Sequence, residues 1–537
     1  MAGISRREAG ETSGGITEDP ELEARMKTIE DAKEKVKPSP TPKIQKVIFL
    51  LRDHKDFQKH YEPRAVALGP IHHLNDKYQL GENYKLVLTN EFVKGSKEKI
   101  SYLYKMIGEN INELKDCFEK GVIEDYDDAP LIWMLLVDGC AILQYIDCAV
   151  NNNFKVLNIK PDSIAFTQQD LFLLENQLPY RLLKWLMSWS GNEGQLKESI
   201  KRYINRLVTV PPLPEAEDQS EIFRNTCPSS LSWSFSQRRK LQQAEKKEQS
   251  YQSKEKQQED HSSIFRPACL SSLPRCLSQI LKRQQAERKK QESYQSKEKQ
   301  QEQRILIDGD VDPIHLLDLL RTSLLDEHKK TNGEQPNRET WQSYRNVQEL
   351  RAAGIHVERS KKENSRLSDI SFTTLGCLGY LWLPPIAVDD STRPKFLNLI
   401  AYEMCLDFQN DFGITSYIYF LDSLIDEAND VKLLRKAGIL YNCLGSDEEV
   451  AQVFNEIGTD LVPNSEIYGD IRLQIQKHYK NQFMTWLAEF CHDHFSSPWT
   501  FLAFFGALFA LVLAIIQTKY TVNSPPGPCD NFCKNFT

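Results

Sequence analysis

The amino terminus lacks any apolar run. MAGISRREAGETSGG has no hydrophobic stretch of the kind a secretory signal needs, and Ala2 stands where N-myristoylation requires glycine. The 12 cysteines form no CxxC pair and no Cys/His spacing that would hold a structural zinc. The 10 from Cys117 to Cys491 are scattered and read as core thiols of a reducing compartment. HExxH, GxSxG, a glycine-rich phosphate loop and a Cys-His nucleophile pattern are all missing, so no recognised reaction motif is present. No metal and no cofactor is expected. The 537 residues are 40% hydrophobic and 10% aromatic, enough for real cores, with a net charge of -8. Their mean hydropathy of -0.50 is that of a soluble body.

Long apolar runs are scarce as well, with one exception near the carboxyl end. Pro498 to Tyr520 reads PWTFLAFFGALFALVLAIIQTKY, and the 16 residues from Phe501 to Ile516 carry no charge and no side-chain hydrogen-bonding group. A core helix normally interrupts such a run with a polar face. At ~1.5 Å per residue, Trp499 to Ile516 spans roughly 27 Å as a helix, close to the ~30 Å hydrocarbon layer of a bilayer. Trp499 and Tyr520 suit the two interfaces, and Lys519 can reach head groups. Residues 499–516 are therefore expected to form a single transmembrane helix in contact with the lipid bilayer. Without an earlier export signal this predicts a tail anchor in the plasma membrane or an endomembrane, with the amino-terminal bulk in the cytosol. Lys480 on one side against Lys519 and Lys534 on the other leans the opposite way, and the missing signal outweighs that count. In the tail 517–537, Cys529 and Cys533 are candidates for a disulfide, and Asn535 opens an Asn-Phe-Thr glycosylation sequon that ends on the last residue, a poor position for use.

Texture divides the rest. Residues 1–43 are rich in charge, glycine, serine and proline and are expected to be disordered. Residues 211–304 contain a duplication: QQAEKKEQSYQSKEKQQE from Gln242 returns as QQAERKKQESYQSKEKQQE from Gln284. Two copies without apolar faces do not make a solenoid. From Gln237 to Arg304 there are 17 Lys+Arg and 9 Asp+Glu, net +8, so the remainder of this -8 chain carries -16. The insert reads as a solvated, partly helical linker. Anionic lipid head groups are the partner its charge would suit, and nucleic acid is not expected, because acidic residues are interleaved and Tyr251 and Tyr294 are the only aromatics in the copies.

Two segments remain, 44–210 and 305–495, and both are expected to be helical, the second with short strands. Ala129 to Val150 is apolar enough to be mistaken for a span, but Asp138, Gln144 and Asp147 make it a core helix. In DLFLLENQLPYRLLKWLM, Pro179 should end or kink one helix and start the next. Glu175, Asn176 and Gln177 then lie beside a greasy surface where each must find a hydrogen-bond partner, which suggests a locked helix junction. GIHVERS, DISFTT and GYLWLPPIAVDD carry the β-branched and aromatic residues of strands. The segments from FLNLIAYEMCLDF through ITSYIYFLDSLIDEANDVKLLRKAGIL to DEEVAQVFNEIG have helical spacing. The fold class is mainly α with a small β element, plus the carboxyl-terminal transmembrane helix.

Several of these blocks, taken in order, resemble the large plant family of domain of unknown function 247. YEPRAVALGPIHHL is similar to its Tyr-x-Pro…Ile-Gly-Pro-Tyr-His-His-Gly stretch, through Tyr61, Pro63, Gly69, Pro70, His72 and His73. DGC at Asp138, DLFLLENQLPY at Asp170, LRAAGIHV at Leu350, LPPIAVDDST at Leu383, NLIAYE at Asn398 and SSPWTFL at Ser496 continue the pattern. Ile71 and Leu74 depart from it around the histidines, and Val47-Ile48 replaces a Val-Pro. The resemblance covers Ile44 to Val210 and Leu306 to Tyr520 and implies single-pass membrane attachment. Some similar proteins are linked to self-recognition at pollination, which implies a surface or signalling role.

His72 and His73, with Asp138, Asp170 and Glu175, are the groups from which a base or ligand set would be built. Gly69, Pro70, His72, His73, Glu175, Asn176 and Gln177 are thus the candidate ligand or structural motif. The reading that follows is a membrane-anchored interaction, recognition or signalling module with an unknown protein partner. The alternative is a membrane-held enzyme using the His72/His73 loop.

Overall fold

The structure, a computed structural model, describes residues 20–31, 41–53, 55–73, 75–210, 312–325, 346–362, 365–375, 378–480 and 498–522. The duplicated insert 211–304 and the tail residues Cys529, Cys533 and Asn535 lie outside them. Within the segment expected to be disordered, Pro20–Glu30 is a helix. Its first turn holds Glu21 and Glu23, Lys27 is in its last turn, and Glu21 pairs with Arg25 at 2.7 Å, all of which favour helix without any core.

The first half of the body is built around Asp128–Asn151, an apolar helix of 24 residues. Its apolar character runs all round because the helices Gln79–Gly95, Ile100–Glu109, Tyr180–Ser190 and Glu193–Val208 pack against it. Though long enough to cross a membrane, its most apolar window is 78% buried inside the protein, so its greasiness serves a core. Gly139 permits the close approach of Tyr180–Ser190: a Cβ there would lie 2.5 Å from a Leu186 methyl. The expected helix through residues 171–178 is absent. Pro161–Asp170 ends, turns follow, and Pro179 caps Tyr180–Ser190.

The second half mixes helices with two small sheets. β1 (Ile355–Arg359), β2 (Ser371–Leu375), β3 (Leu378–Leu383) and β4 (Ile386–Val388) occupy the three segments with strand character. β3 is central, parallel to β1 with His356 opposite Tyr380 and antiparallel to β2 with Phe372 opposite Leu381. β4 pairs in parallel with β5 (Leu440–Asn442), a strand that starts on the last residue of a stretch whose spacing read as helical. Gly438, at φ 68°, ends the helix Ala428–Lys436 and turns the chain into β5. Thr392–Glu403, Gly413–Asp422 and Asp447–Ile457 pack with that helix into the remaining layer.

A single hydrophobic core runs through both halves. Glu193–Val208 packs on Leu316–Leu324, and Phe57–Tyr61 packs on Thr392–Glu403. Tyr180 N–H donates to Ile314 O at 2.8 Å, and Lys43 N–H to the Asp407 carboxylate at 2.8 Å. The helix Pro498–Val522 stands apart from this core: it is long and apolar enough to cross a membrane, and none of its span window is buried. Cys140, Cys148 and Cys405 are buried free thiols and Cys117 is a half-buried one, but Cys443 is disulfide-bonded, which corrects the reading of that residue as a core thiol.

Candidate functional site: a polar clasp around the histidine loop

The chain from Pro63 to His73 crosses the protein without helix or strand, so its backbone groups need partners from elsewhere. Side chains supply them. The Asp170 carboxylate accepts from the N–H groups of Arg64, Ala65 and Val66 at 2.9, 2.7 and 2.9 Å. Asn176 accepts from Leu68 N–H at 2.6 Å through Oδ1, and its Nδ2 donates to Val66 O and Asp170 O. Asp138 accepts from Gly69 N–H at 2.8 Å, and the hydroxyls of Tyr78 and Tyr126 donate to Pro63 O and Pro70 O. Gly69 has φ 69°, and a Cβ on it would lie 2.7 Å from Gln177 O. Loop and turn are thus in backbone contact.

The turn itself reaches three other elements. Glu175 accepts from Val47 N–H at 2.8 Å and from the Arg52 guanidinium, while its second oxygen lies 3.1 Å from His72 Nε2. Gln177 donates to Leu171 O and Leu173 O and accepts from Leu317 N–H at 3.1 Å. Leu174 N–H donates to Asn398 Oδ1 at 2.8 Å, and Asn398 Nδ2 donates to His60 O and Pro394 O. The stretch is not helical because its polar groups bridge in this way instead of closing on themselves.

Beneath the loop lies a buried ion pair. Lys85 Nζ, 2.5 Å from Asp138 Oδ1, also donates to Ala67 O and contacts Glu82 at 2.7 Å. Burial alone would lower this ammonium, but Asp138 and Glu82 hold it above its ordinary range. Burial pushes Asp170 up to about 6 against its three N–H bonds. Burial would also raise Glu175, yet the approach of His72, the Val47 hydrogen bond and the Arg52 charge bring it below its usual value. His73 is lowered, chiefly by burial.

The two histidines do not converge. His72 takes Glu175 and sits edge-on to Tyr78, while His73 lies against Tyr126 with a buried Nδ1 that has no partner among the described residues. No group of His, Cys, Asp and Glu arranged for a metal occurs among the described residues. Sequence reasoning marked Asp138, Asp170 and the Glu175-Asn176-Gln177 triplet but missed Lys85, Tyr126 and Asn398. Lys85 had a visible signal: Gly81, Lys85, Leu88 and Phe92 recur at helical spacing on one buried face, where a lysine must be paired.

A family model described as a plant protein of unknown function matches residues 44–513. The UPF0481 protein At3g47200 of Arabidopsis thaliana is 23% identical over 493 residues, covering 87% of this chain and 83% of its own. The putative UPF0481 protein At3g02645 of the same plant is 26% identical over 172 residues, 32% of each chain. No solved structure matches.

Proposed function

We propose, on the premise that the chain belongs to the plant family of domain of unknown function 247, that it is a membrane-anchored interaction module whose body faces the cytosol and offers a surface to a protein partner. The observation that carries the anchoring is the Pro498–Val522 helix, apolar and uncovered. In hydrocarbon such a helix satisfies its own backbone, whereas in water its apolar surface costs about 25 cal/mol per Å². Binding to anionic lipid through the basic insert would add to this attachment. An interaction role is favoured over catalysis by how the loop's polar groups are used: Asp170, Glu175, Asn176 and Gln177 are all engaged by the protein itself. The alternative enzyme built on His72 and His73 meets the obstacle that the two rings take different partners.

Orientation is the part to test first, since the Cys443 disulfide suits an oxidising compartment while the free thiols of Cys117, Cys140, Cys148 and Cys405 suit a reducing one. In sealed membranes, protease added outside should digest the body and spare only a short fragment carrying a tag after Thr537. Protection of the whole body would reverse the topology. Replacing both Leu508 and Leu511 by arginine costs about 2.5 to 3.5 kcal/mol per residue near a helix centre and should move the protein to the soluble fraction. Retention through an alkaline wash would rule out anchoring by this helix. The pair His72→Ala and His73→Ala should lower the melting temperature independently of metal or ligand. Metal content that vanished with the pair would favour the enzyme.

A further inference from the structure

Phe49–Arg52 is a single helical turn, Phe-Leu-Leu-Arg, in which three of the four side chains are apolar and none is buried. Phe49 is 76% and Leu50 63% exposed, while Leu51 leans on the core. One exposed leucine on a surface calls for no explanation, but an adjacent apolar pair held out from the core does. The turn is pinned in this position. Arg52 Nε donates to Val47 O at 2.9 Å, the Arg52 guanidinium meets the Glu175 carboxylate, and Val47 N–H donates to that same carboxylate at 2.8 Å. The clasp around the histidine loop thus fixes the turn at both ends and keeps Phe49 and Leu50 in water, a rigid presentation that leaves little ordering cost for a later contact. The surrounding charge is basic. Lys46, Lys55 and Lys59 are exposed, and residues 43–59 hold 5 Lys+Arg against the 2 acids Asp53 and Asp56, net +3 in a chain of net charge -8.

We propose that this turn is a second membrane contact, in which Phe49 and Leu50 enter the interface of an anionic phospholipid bilayer while Lys46, Lys55 and Lys59 meet its head groups. It rests on the reading that the body faces the cytosol, the side on which anionic lipid lies. Charge complementarity selects the occupant: an apolar pair flanked by lysines matches a surface that is negative above and greasy beneath, whereas an apolar pocket on a protein gives the lysines nothing. Reach permits the contact. Residues 481–497, which lead from the body to the span, extend at most about 60 Å, and a body of this size is roughly 50 Å across, so the turn can meet the bilayer that holds the span. Tethering also makes a weak contact effective, because a short linker holds the body at a local concentration of about millimolar.

The test is flotation of the full chain carrying Leu508→Arg and Leu511→Arg, which disables the span, with vesicles of phosphatidylcholine alone or mixed with phosphatidylserine. The chain should float with the mixed vesicles and not with the neutral ones, and added salt should weaken the binding. Phe49→Ser with Leu50→Ser should weaken it at least about 10-fold, the factor that corresponds to 1.4 kcal/mol, and leave the melting temperature unchanged, because neither side chain is buried. Lys46→Gln, Lys55→Gln and Lys59→Gln together should cost a similar factor. Undiminished binding by both sets of variants would assign the lipid contact to the basic insert and overturn the proposal. Equal binding to neutral vesicles would overturn it, and binding to neither kind would do so too, leaving the turn to a protein partner. If the variants aggregate, amide exchange on the natural chain in nanodiscs decides: residues 49–52 should exchange more slowly in discs that contain phosphatidylserine, and equal rates would overturn the proposal. Flotation does not depend on the span, so the turn and the anchor can fail separately.

Discussion

At Gly69 two demands meet: a backbone angle that side chains other than glycine rarely adopt and a carbonyl, Gln177 O, where a Cβ would have to go. Gly69→Ala should therefore cost about 1–2 kcal/mol for the left-handed backbone and more for the contact, lowering the melting temperature in a thermal scan. Among the described histidines that burial lowers, His315 and His60 are pushed down furthest and contribute most to the response to acid. His315, the N-cap of Leu316–Leu324, accepts from Asp318 N–H through Nδ1 at 3.0 Å, and burial pushes it down to about 3. Burial, with Lys59 and Arg393 nearby, pushes His60 to about 4. Unfolded histidine titrates at about 6.5, so below that pH the unfolded chain takes up protons first. Stability is full above that point and falls as the pH drops toward 4. At pH 5 each histidine costs about 2 kcal/mol. Asparagine caps a helix well without titrating, so His315→Asn should remove about 2 kcal/mol of this loss, read from urea unfolding compared between pH 7 and pH 5. An undiminished loss would assign the acid response to other groups. Single residues were legible where their chemistry was unusual for their surroundings, as with the polar triplet beside Leu173 and Leu174. Asn398 was not, because an asparagine in a helical run declares its partners only once residues far apart in the chain are brought together.

β1 to β4 could be read from their β-branched and aromatic residues and the amphipathic helices from their spacing, while Asp128–Asn151, apolar all round, could be read as a core helix from the polar residues that interrupt it. β5 could not, because Leu440–Asn442 follows directly on a run of helical spacing and has no β-branched residue to mark it, unlike the equally short β4. The turn 171–178 was misread as helix for another reason: its leucines have helical spacing, and only the side-chain bonds of Asn176 and Gln177 reveal the competing conformation. The insert raises a testable point at this scale. Glu193–Val208 and Leu316–Leu324, which flank it, pack on each other, so its ends are held together by the body. Removing residues 214–303 should leave the melting temperature unchanged or slightly higher, because shortening the closed loop recovers at most about 2 kcal/mol of closure entropy. A fall of many degrees, or aggregation, would mean that the insert packs against the body.

Seen whole, the molecule joins segments that its sequence presents as separate. Composition separates 44–210 from 305–495 by a long polar interruption, yet one core and one set of hydrogen bonds cross the seam. Spacing within either segment does not show that joining; only the family resemblance, which runs across both, makes them parts of one domain. The exposed carboxyl-terminal helix, by contrast, was legible from its sequence run, since its character comes from one continuous stretch and needs no distant partner. The bond from Leu174 N–H to Asn398, and from Asn398 back to His60 O, has a further consequence in time. Residue 398 is made 188 positions after residue 210, roughly 10–40 s later at ~5–20 residues per second. Through that interval the emerging first half holds an unfilled amide, an unfilled carbonyl and an uncovered greasy flank, so a fragment ending at residue 210 should be open to protease and prone to aggregate where the full chain is not.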